Sequence, residues 1–257
     1  MNFNKFVFII PSYNNVDWYI YNIKSIVKQQ YDNWRAIYID DASTDGTLKL
    51  VRDYVKSLDL TQKFTYIQNP KKLGPAGSRY QGYIQIFDDE ICCMLDGDDW
   101  LYGDNVLDIL NYIYNKGYNC TYGSYFNTGI PENLIPRPPS DYSDHIHKNK
   151  LYRTQAKKNF IASHLRTMRA NLIKDINPHK YLKLNNEWVQ VCTDMAEMFY
   201  VLEKKETRHK FIQLPLYVYN FHNSIRYDTS YVHKDKEKGV REYRKNVMEF
   251  ISNASRD

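Results

Sequence analysis

The sequence predicts an α/β fold, a mostly parallel, Rossmann-like central sheet flanked by helices in one domain. Three observations predict it. Short apolar runs alternate with segments of helical periodicity through roughly the first hundred residues. The connections between them are brief and rich in Gly, Pro, Asn and Asp. The chain has 257 residues, 43% of them hydrophobic, enough to bury a sizeable core and too many for a disordered polymer.

Taken in order, Lys5 to Ile10 is an apolar run closed by Pro11, the pattern of a strand buried on both faces. Ile20, Ile23, Val27 and Tyr31 then recur at helical spacing. Arg35 to Ile39 is a second strand. Ser43 is a plausible N-cap for a helix carrying Leu48, Val51, Val55 and Leu58. Lys63 to Ile67 is a third strand, Ala76, Tyr80, Ile84 and Phe87 outline a third helical face, and Ile91 to Leu95 is a fourth strand. A helix on Val106, Leu107, Leu110 and Ile113 and a strand from Asn119 to Tyr122 continue the alternation. Residues 127–150, with Pro131, Pro136, Pro138 and Pro139, read as a long irregular segment, and such segments are usually functional or mobile. Beyond it, Val189 to Leu202 reads as helix and Phe211 to Leu214 and Leu216 to Phe221 as strands. The tail from Lys234 reads as a charged, solvated helix. No internal repeat or linker interrupts the chain, so residues 1–257 are expected to form one domain.

Composition narrows the function. Lys and Arg outnumber Asp and Glu by 35 to 30, a mild excess that does not argue for nucleic acid and suits a small anionic substrate held in one cleft. The apolar run Phe6 to Ile10 is too short for a signal peptide or membrane span, and no segment approaches the ~18 apolar residues a span needs. A soluble, cytoplasmic protein is expected. Cys92, Cys93, Cys120 and Cys192 show no C-x-x-C spacing and read as reduced and mostly buried, so the sequons at Asn119 and Asn253 carry no weight.

In doubly wound sheets, ligands bind beyond the carboxyl ends of the strands. The first four strands are followed by "PSYNN", "DDASTDGT", "NPKKLGPAGSR" and "DGDDW", all polar and all expected at one edge. In the last of these, Asp96, Asp98 and Asp99 repel one another and call for a positive partner. Asp96 and Asp98 flank Gly97, where the backbone can turn sharply, and hard oxygen ligands of this kind suit Mg²⁺ or Mn²⁺. A solvated turn capping the helix near Asp104 is the plain alternative; its place at the end of a buried strand favours a ligand. Of Asp40 and Asp41, one can accept a hydrogen bond from a base or ribose while the other caps the turn. "GPAGSR" lacks the G-K-[ST] ending of a Walker A loop, leaving a close-packed helix start or an Arg79 that pairs with diphosphate. His145 and His147 read as surface-loop residues rather than a zinc site. Trp100 and Trp188 can stack on a sugar or serve as packing anchors.

The stretches "FIIPSYNN", "YIDDASTDGT", "NPKKLGPAGSRYQGY" and "MLDGDDWL", in this order and spacing, resemble the family-2 glycosyltransferases with the GT-A fold. The likeness resumes at "FIASHLRTMRANLI" and, more loosely, at "NNEWVQVCTDMAEMFYVL". This resemblance implies that Pro11, Tyr13 and Asn14 lie against the nucleotide, with Tyr13 near the uracil. It implies that Asp41 takes the pyrimidine N–H, that Arg79 approaches diphosphate or ribose, and that His164 and Arg166 line the cleft. Asp96, Gly97 and Asp98 become the D-x-D motif that binds ribose and metal, with Asp99 beside them and His222 completing the metal shell. Asp194 becomes the general base; the family's usual E-D pair reads Thr193-Asp194 here, and Glu187 is the fallback.

The implied activity is metal-dependent (Mn²⁺ or Mg²⁺), inverting transfer from a UDP-sugar, glucose or galactose favoured, to a hydroxyl of a glycan or protein. Relatives in viruses and bacteria modify glycans, lipids and proteins, including hydroxylysine-linked sugars on collagen-like chains, which keeps that acceptor open. Residues 1–125 would form the nucleotide-sugar half and 126–233 the acceptor half, with Arg137, Lys148 and Lys150 suggesting a polar or anionic surface. The charged segment 234–257 could support a homodimer. A nucleotidyltransferase is a competing class, but it would want a Gly- and basic-rich loop straight after the first strand, where "PSYNN" stands. A non-catalytic nucleotide-sugar binder is another; retention of Arg79, Asp98, Asp99 and Asp194 together argues against it.

Overall fold

A computed structural model describes residues 3–128, 134–136, 140–155, 160–222 and 234–254, with only the backbone at 134–136 and 234–238. Pro131, Arg137, Pro138 and Pro139 lie outside the described residues. In chain order the elements are β1 (Lys5–Ser12), α1 (Tyr19–Val27), β2 (Trp34–Asp40), α2 (Thr47–Ser57), β3 (Phe64–Gln68), α3 (Gly74–Tyr83), β4 (Glu90–Met94), β5 (Trp100–Leu101) and α4 (Val106–Asn115). There follow β6 (Cys120–Gly123), β7 (Phe126–Thr128), β8 (Leu134–Pro136), α5 (Asp144–Asn149), β9 (Arg166–Arg169), α6 (Pro178–Tyr181), β10 (Lys183–Leu184) and β11 (Glu187–Trp188). The last are α7 (Thr193–Glu203), β12 (His209–Ile212), β13 (Tyr217–Tyr219) and α8 (Lys234–Asn253).

The central sheet has seven strands in the order β12-β6-β9-β4-β1-β2-β3. β1 pairs in parallel with β2 and β4, β2 with β3, and β6 with β12. Only β9 runs the other way, antiparallel to both β4 and β6. Alternation along β1 sends Phe6, Phe8 and Ile10 to one face, against α1, α2 and α4, and Val7 and Ile9 to the other, against α3, α7 and α8. Helices on both faces are why the strands read as continuous apolar runs instead of alternating ones. The fully buried Phe6 and Phe8 each contribute roughly 1.5–3 kcal/mol through removal from water. Among the described residues there are two smaller sheets: β10-β11, and the four-stranded β5-β13-β7-β8.

Several expectations are corrected here. The third helical face is rotated: Ile84 and Phe87 are exposed, and α3 instead buries Ala76, Ser78, Arg79, Gly82 and Tyr83. Small residues let the helix approach the sheet closely; a Cβ on Gly82 would lie 2.7 Å from Ile9 Cγ2. The segment around His164 and Arg166 carries no strand pattern in the sequence. It leads into β9, whose polar sequence hides a central strand because tertiary partners satisfy its side chains. Thr167 Oγ1 meets both Tyr114 Oη and Thr121 Oγ1, at 2.8 and 2.6 Å. The helix expected from Val189 begins only at Thr193. The tail helix α8 is charged but docked, with Val247 and Ile251 buried in the core. None of the four cysteines is in a disulfide, and Cys92, Cys93 and Cys120 are buried. Among the described residues, no helix is long and apolar enough to cross a membrane.

Candidate functional site

A cavity of about 410 Å³ opens at the carboxyl edge of the sheet, within the usual size range of small-ligand sites. The end of β1 lines it with Pro11 and Ser12, the turn that follows with Tyr13 and Asn15, and the residue after β2 with Asp41. The approach to α3 contributes Lys72, α3 itself Ser78 and Arg79, and the turn after β4 Asp96, Asp98 and Asp99. Because β9 is antiparallel, its start lies beside the end of β4, with Arg166 opposite Met94. That reversal brings His164 and Arg166 to the same edge. The start of α7 adds Thr193 and Asp194, the end of β13 adds Tyr219 and Asn220, and α8 adds Arg244.

The Asp96–Asp99 turn is anchored from four directions. Gly97 N donates to Pro11 O at 2.9 Å, and Asp99 N closes the turn on Asp96 O at 3.0 Å. The buried Asn22 side chain of α1 donates to the carbonyls of Asp96 and Asp99 at 2.9 and 2.8 Å. Tyr217 Oη donates to Asp99 Oδ2 at 2.6 Å, and Asn220 N to Asp99 Oδ1 at 2.7 Å. Gly97 is required for space: a Cβ there would lie 2.8 Å from Ser12 Cβ and 2.9 Å from Pro11 O.

Two buried guanidinium groups tie this turn to α7. Arg79 Nε lies 3.1 Å from each carboxylate oxygen of the fully buried Glu197, and its Nη1 lies 3.0 Å from Asp96 Oδ1. Its Nη2 also donates to Thr193 Oγ1. Arg166 Nη1 lies 2.9 Å from Asp194 Oδ2, and its Nη2 lies 4.0 Å from Asp96 Oδ2. Burial opposes the charge on Arg79, but Glu197 and then Asp96 overcome it and raise its pKa; Asp194 and then Asp96 do the same for Arg166. Burial also lifts Glu197 above the usual carboxylate range despite Arg79. Asp99 is raised well above that range by burial and by the charges of Asp98 and Asp96.

An acidic turn at the end of a buried central strand, cross-linked to a second acidic helix start over one cavity, occurs within a recognisable framework. The model described as glycosyl transferase family 2 matches residues 7–176, about two thirds of the chain. The chain belongs to glycosyl transferase family 2. An uncharacterized glycosyltransferase of Haemophilus influenzae is 30% identical over 135 residues, 52% of this chain and 52% of that relative, so the match spans about half of either. S. aureus TarS 1–349, solved in complex with UDP-GlcNAc, aligns with a TM-score of 0.64 at 18% identity, covering 98% of this chain and 68% of that one. The Pyrobaculum calidifontis mannosyltransferase PcManGT, solved with GDP-Man and Mn²⁺, has a TM-score of 0.50 at 16% identity, covering 84% and 56%. At these identities the structural likeness is one of fold, and it is the mixed α/β fold that the sequence led us to expect.

Within this family-2 framework, Pro11, Tyr13, Asp41, Arg79, Asp96, Asp98, Asp99, His164, Arg166 and Asp194 all line the cavity. Several do work other than that expected. Asp41 accepts hydrogen bonds from Leu73 N and Gly74 N and from the Asn69 amide, all at 2.8 Å, so it caps α3 as well as facing the cavity. Arg79 lines the cavity with its guanidinium paired to Glu197, Asp96 and Thr193. Asp99 is buried on Tyr217 and Asn220 and so braces the site from beneath. Asn14, Gly97 and His222 do not line the cavity. Asn14, with a φ of 51° that Asn tolerates well, joins two loops through Ser43 and Thr44. His222 is exposed. Glu187 lies exposed in β11 and does not line the cavity.

Trp100 packs against Tyr21 and Trp188 against Tyr80, each at 5.4 Å between ring centroids, as packing anchors do. Sequence reasoning missed Lys72, whose Nζ sits 3.4 Å from the centroid of the Tyr13 ring. It also missed Glu197, Tyr217, Asn220 and Arg244. The "KK" of the third loop was a usable signal for Lys72. Tyr217 and Asn220 depend on pairings such as Val218 opposite Trp100, and Glu197 and Arg244 on where α7 and α8 pack, which no local pattern reveals.

Proposed function

We propose that this chain is the catalytic domain of an inverting, divalent-metal-dependent glycosyltransferase. It would move a hexose, glucose or galactose, from a UDP-sugar to a hydroxyl of a glycan or glycosylated protein. One observation carries the reading: Asp96, Asp98 and Asp194 line one cavity, with Arg79 3.0 Å from Asp96 and Arg166 2.9 Å from Asp194 and 4.0 Å from Asp96.

The residues fit a divalent ion. Asp96, Asp99 and His164 offer ligand atoms that lie within 4.8 Å of one another, and Asp98 faces the same cavity. Carboxylates with an imidazole suit Mn²⁺; burial and then the charges of Asp98 and Asp96 raise Asp99, and a cation would relieve the crowding of those charges. Bound there, the ion would offset the charge of the departing nucleoside diphosphate. Tyr13, with Lys72 over its ring, forms the wall suited to a pyrimidine base and its phosphates. Asp194, part-exposed and oriented by Arg166, is placed to accept the proton of an acceptor hydroxyl attacking the sugar from the face opposite the leaving group. A single displacement of this kind inverts the anomeric carbon. UDP-GlcNAc on TarS and GDP-Man on PcManGT support a nucleotide-sugar donor for this fold, and the Mn²⁺ of PcManGT supports the metal.

The test is nucleotide release from UDP-glucose, UDP-galactose, UDP-GlcNAc and GDP-mannose, with Mn²⁺, with Mg²⁺ and with EDTA. Asp194→Asn is expected to lower turnover by ~10²–10⁴-fold while leaving UDP binding intact. Absence of binding and release with every donor sinks the enzyme reading, and unchanged turnover in Asp194→Asn sinks the base assignment. A nucleotidyltransferase would release pyrophosphate instead, and a binding protein would retain donor without turnover. Mass spectrometry of glycans and of hydroxylysine-glycosylated collagen-like peptides, incubated with the working donor, identifies the acceptor.

A further inference from the structure

The cavity does not use a second cluster of ligating side chains. Asp141, His147 and His209 come from the approach to α5, from α5 itself and from the edge strand β12, and their ligand atoms all lie within 4.8 Å of one another. We propose that these three residues form a second, zinc-type metal site, separate from the carboxylate site at the cavity.

The distances support a shared ion. Two ligands bound to one tetrahedral ion at the usual ~2.0–2.1 Å sit roughly 3.3 Å apart. His147 Nε2 and Asp141 Oδ1 are 3.1 Å apart, and the rings of His147 and His209 lie 4.2 Å apart between centroids. The donor set, imidazole with carboxylate, suits Zn²⁺ and its neighbours in the transition series better than Mg²⁺ or Ca²⁺. Three protein ligands leave a fourth position for water, and the exposed Asp141 supplies an entry path.

The surroundings are those of an oriented ligand. Metal-bound histidines characteristically use the second ring nitrogen in a hydrogen bond that sets tautomer and angle. His147 Nδ1 lies 2.8 Å from the hydroxyl of the fully buried Tyr152. With metal on Nε2, Nδ1–H donates to Tyr152; without it, Nε2–H donates to Asp141 and Tyr152 donates to Nδ1. Asp141 is braced in turn by Tyr122 Oη and by Tyr142 N, both donating to Oδ1. The ring of His209 stacks on Tyr122 at 5.8 Å. A metal here would clip the segment that carries α5 to the edge of the central sheet.

The experiment is titration of the full chain, stripped with chelator and dialysed, with CoCl₂, read by visible absorption. The expected result is intense tetrahedral-type bands that saturate with one Co²⁺ per chain bound at this site and are displaced by ZnCl₂, any Co²⁺ at the carboxylate site of the cavity giving only weak bands. His147→Ala and His209→Ala lose these bands, and Tyr152→Phe binds ~10–100-fold more weakly. Asp98→Asn keeps them, which separates this site from the cavity and from the outcome of the proposed function. Absence of stoichiometric bands in the wild-type chain overturns the site, leaving a hydrogen-bonded trio. Wild-type affinity in His209→Ala, or loss of the bands in Asp98→Asn, overturns it too. Circular dichroism identifies a variant that has unfolded; in that case Tyr152→Phe and the wild-type titration decide.

Discussion

Replacing Arg79 by methionine tests whether the buried ion network organises both the core and the site. Arg79 and Glu197 are 3% and 0% exposed, with Nε 3.1 Å from both carboxylate oxygens. At an effective dielectric of about 20 their attraction is on the order of 5 kcal/mol, most of which goes to offset the cost of desolvating both charges. Removing one partner strands the other, and such losses cost about 3–5 kcal/mol. For a chain of this size that corresponds to a fall in Tm on the order of 10 °C. The double variant Arg79→Met/Glu197→Met fills similar volume with no stranded charge and should recover most of the loss. Turnover should stay low in both, because Asp96 and Thr193 lose their anchor either way. Urea and thermal melts, followed by circular dichroism, give the stabilities. A single variant within about 1 kcal/mol of wild type, or a double variant no more stable than the single, would refute the reasoning.

Gly97→Ala places a methyl group 2.8 Å from Ser12 Cβ, so the acidic turn must move. A stability loss of about 1–3 kcal/mol and weaker nucleotide binding by calorimetry are expected. Asp99 has its folded pKa raised above the ordinary 3.8. Its contribution to stability is therefore full below that value and is lost as pH rises through the elevated folded value. Asp99→Asn should gain on the wild type as pH rises across that window; melts showing a pH-independent difference would contradict this. Ile251→Ala should cost about 2–5 kcal/mol if α8 is docked as described, against nearly nothing for a solvated helix.

The first four strands and the loops at their carboxyl ends were legible because each strand is buried on both faces and bounded by turn-forming residues. Their lengths and apolar content reflect the fold directly. β9 was illegible for the opposite reason. Arg166, Thr167 and Arg169 are polar, and they sit in the centre of the sheet only because Asp194, Thr121, Tyr114 and Asn4 receive them there. The face of α3 was misread because glycine and serine pack by allowing close approach, a role that hydrophobic periodicity does not register. His147 was read with His145 as a surface-loop residue, and nothing local joins it to His209, more than fifty residues further along the sequence.

By itself the sequence determined the α/β alternation, the edge at which the polar loops converge and the acidic turn that closes β4. These follow from local burial patterns and from the rule that parallel strands present their carboxyl ends together. Only the tertiary structure decided what neutralises that turn. Asp96 is held by Arg79 and Arg166, and Asp99 is buried on Tyr217 and Asn220, through contacts that span up to 121 residues of chain. Charge partners of that kind depend on where distant strands meet. The energy of a buried carboxylate depends on those partners more than on its own neighbours in sequence.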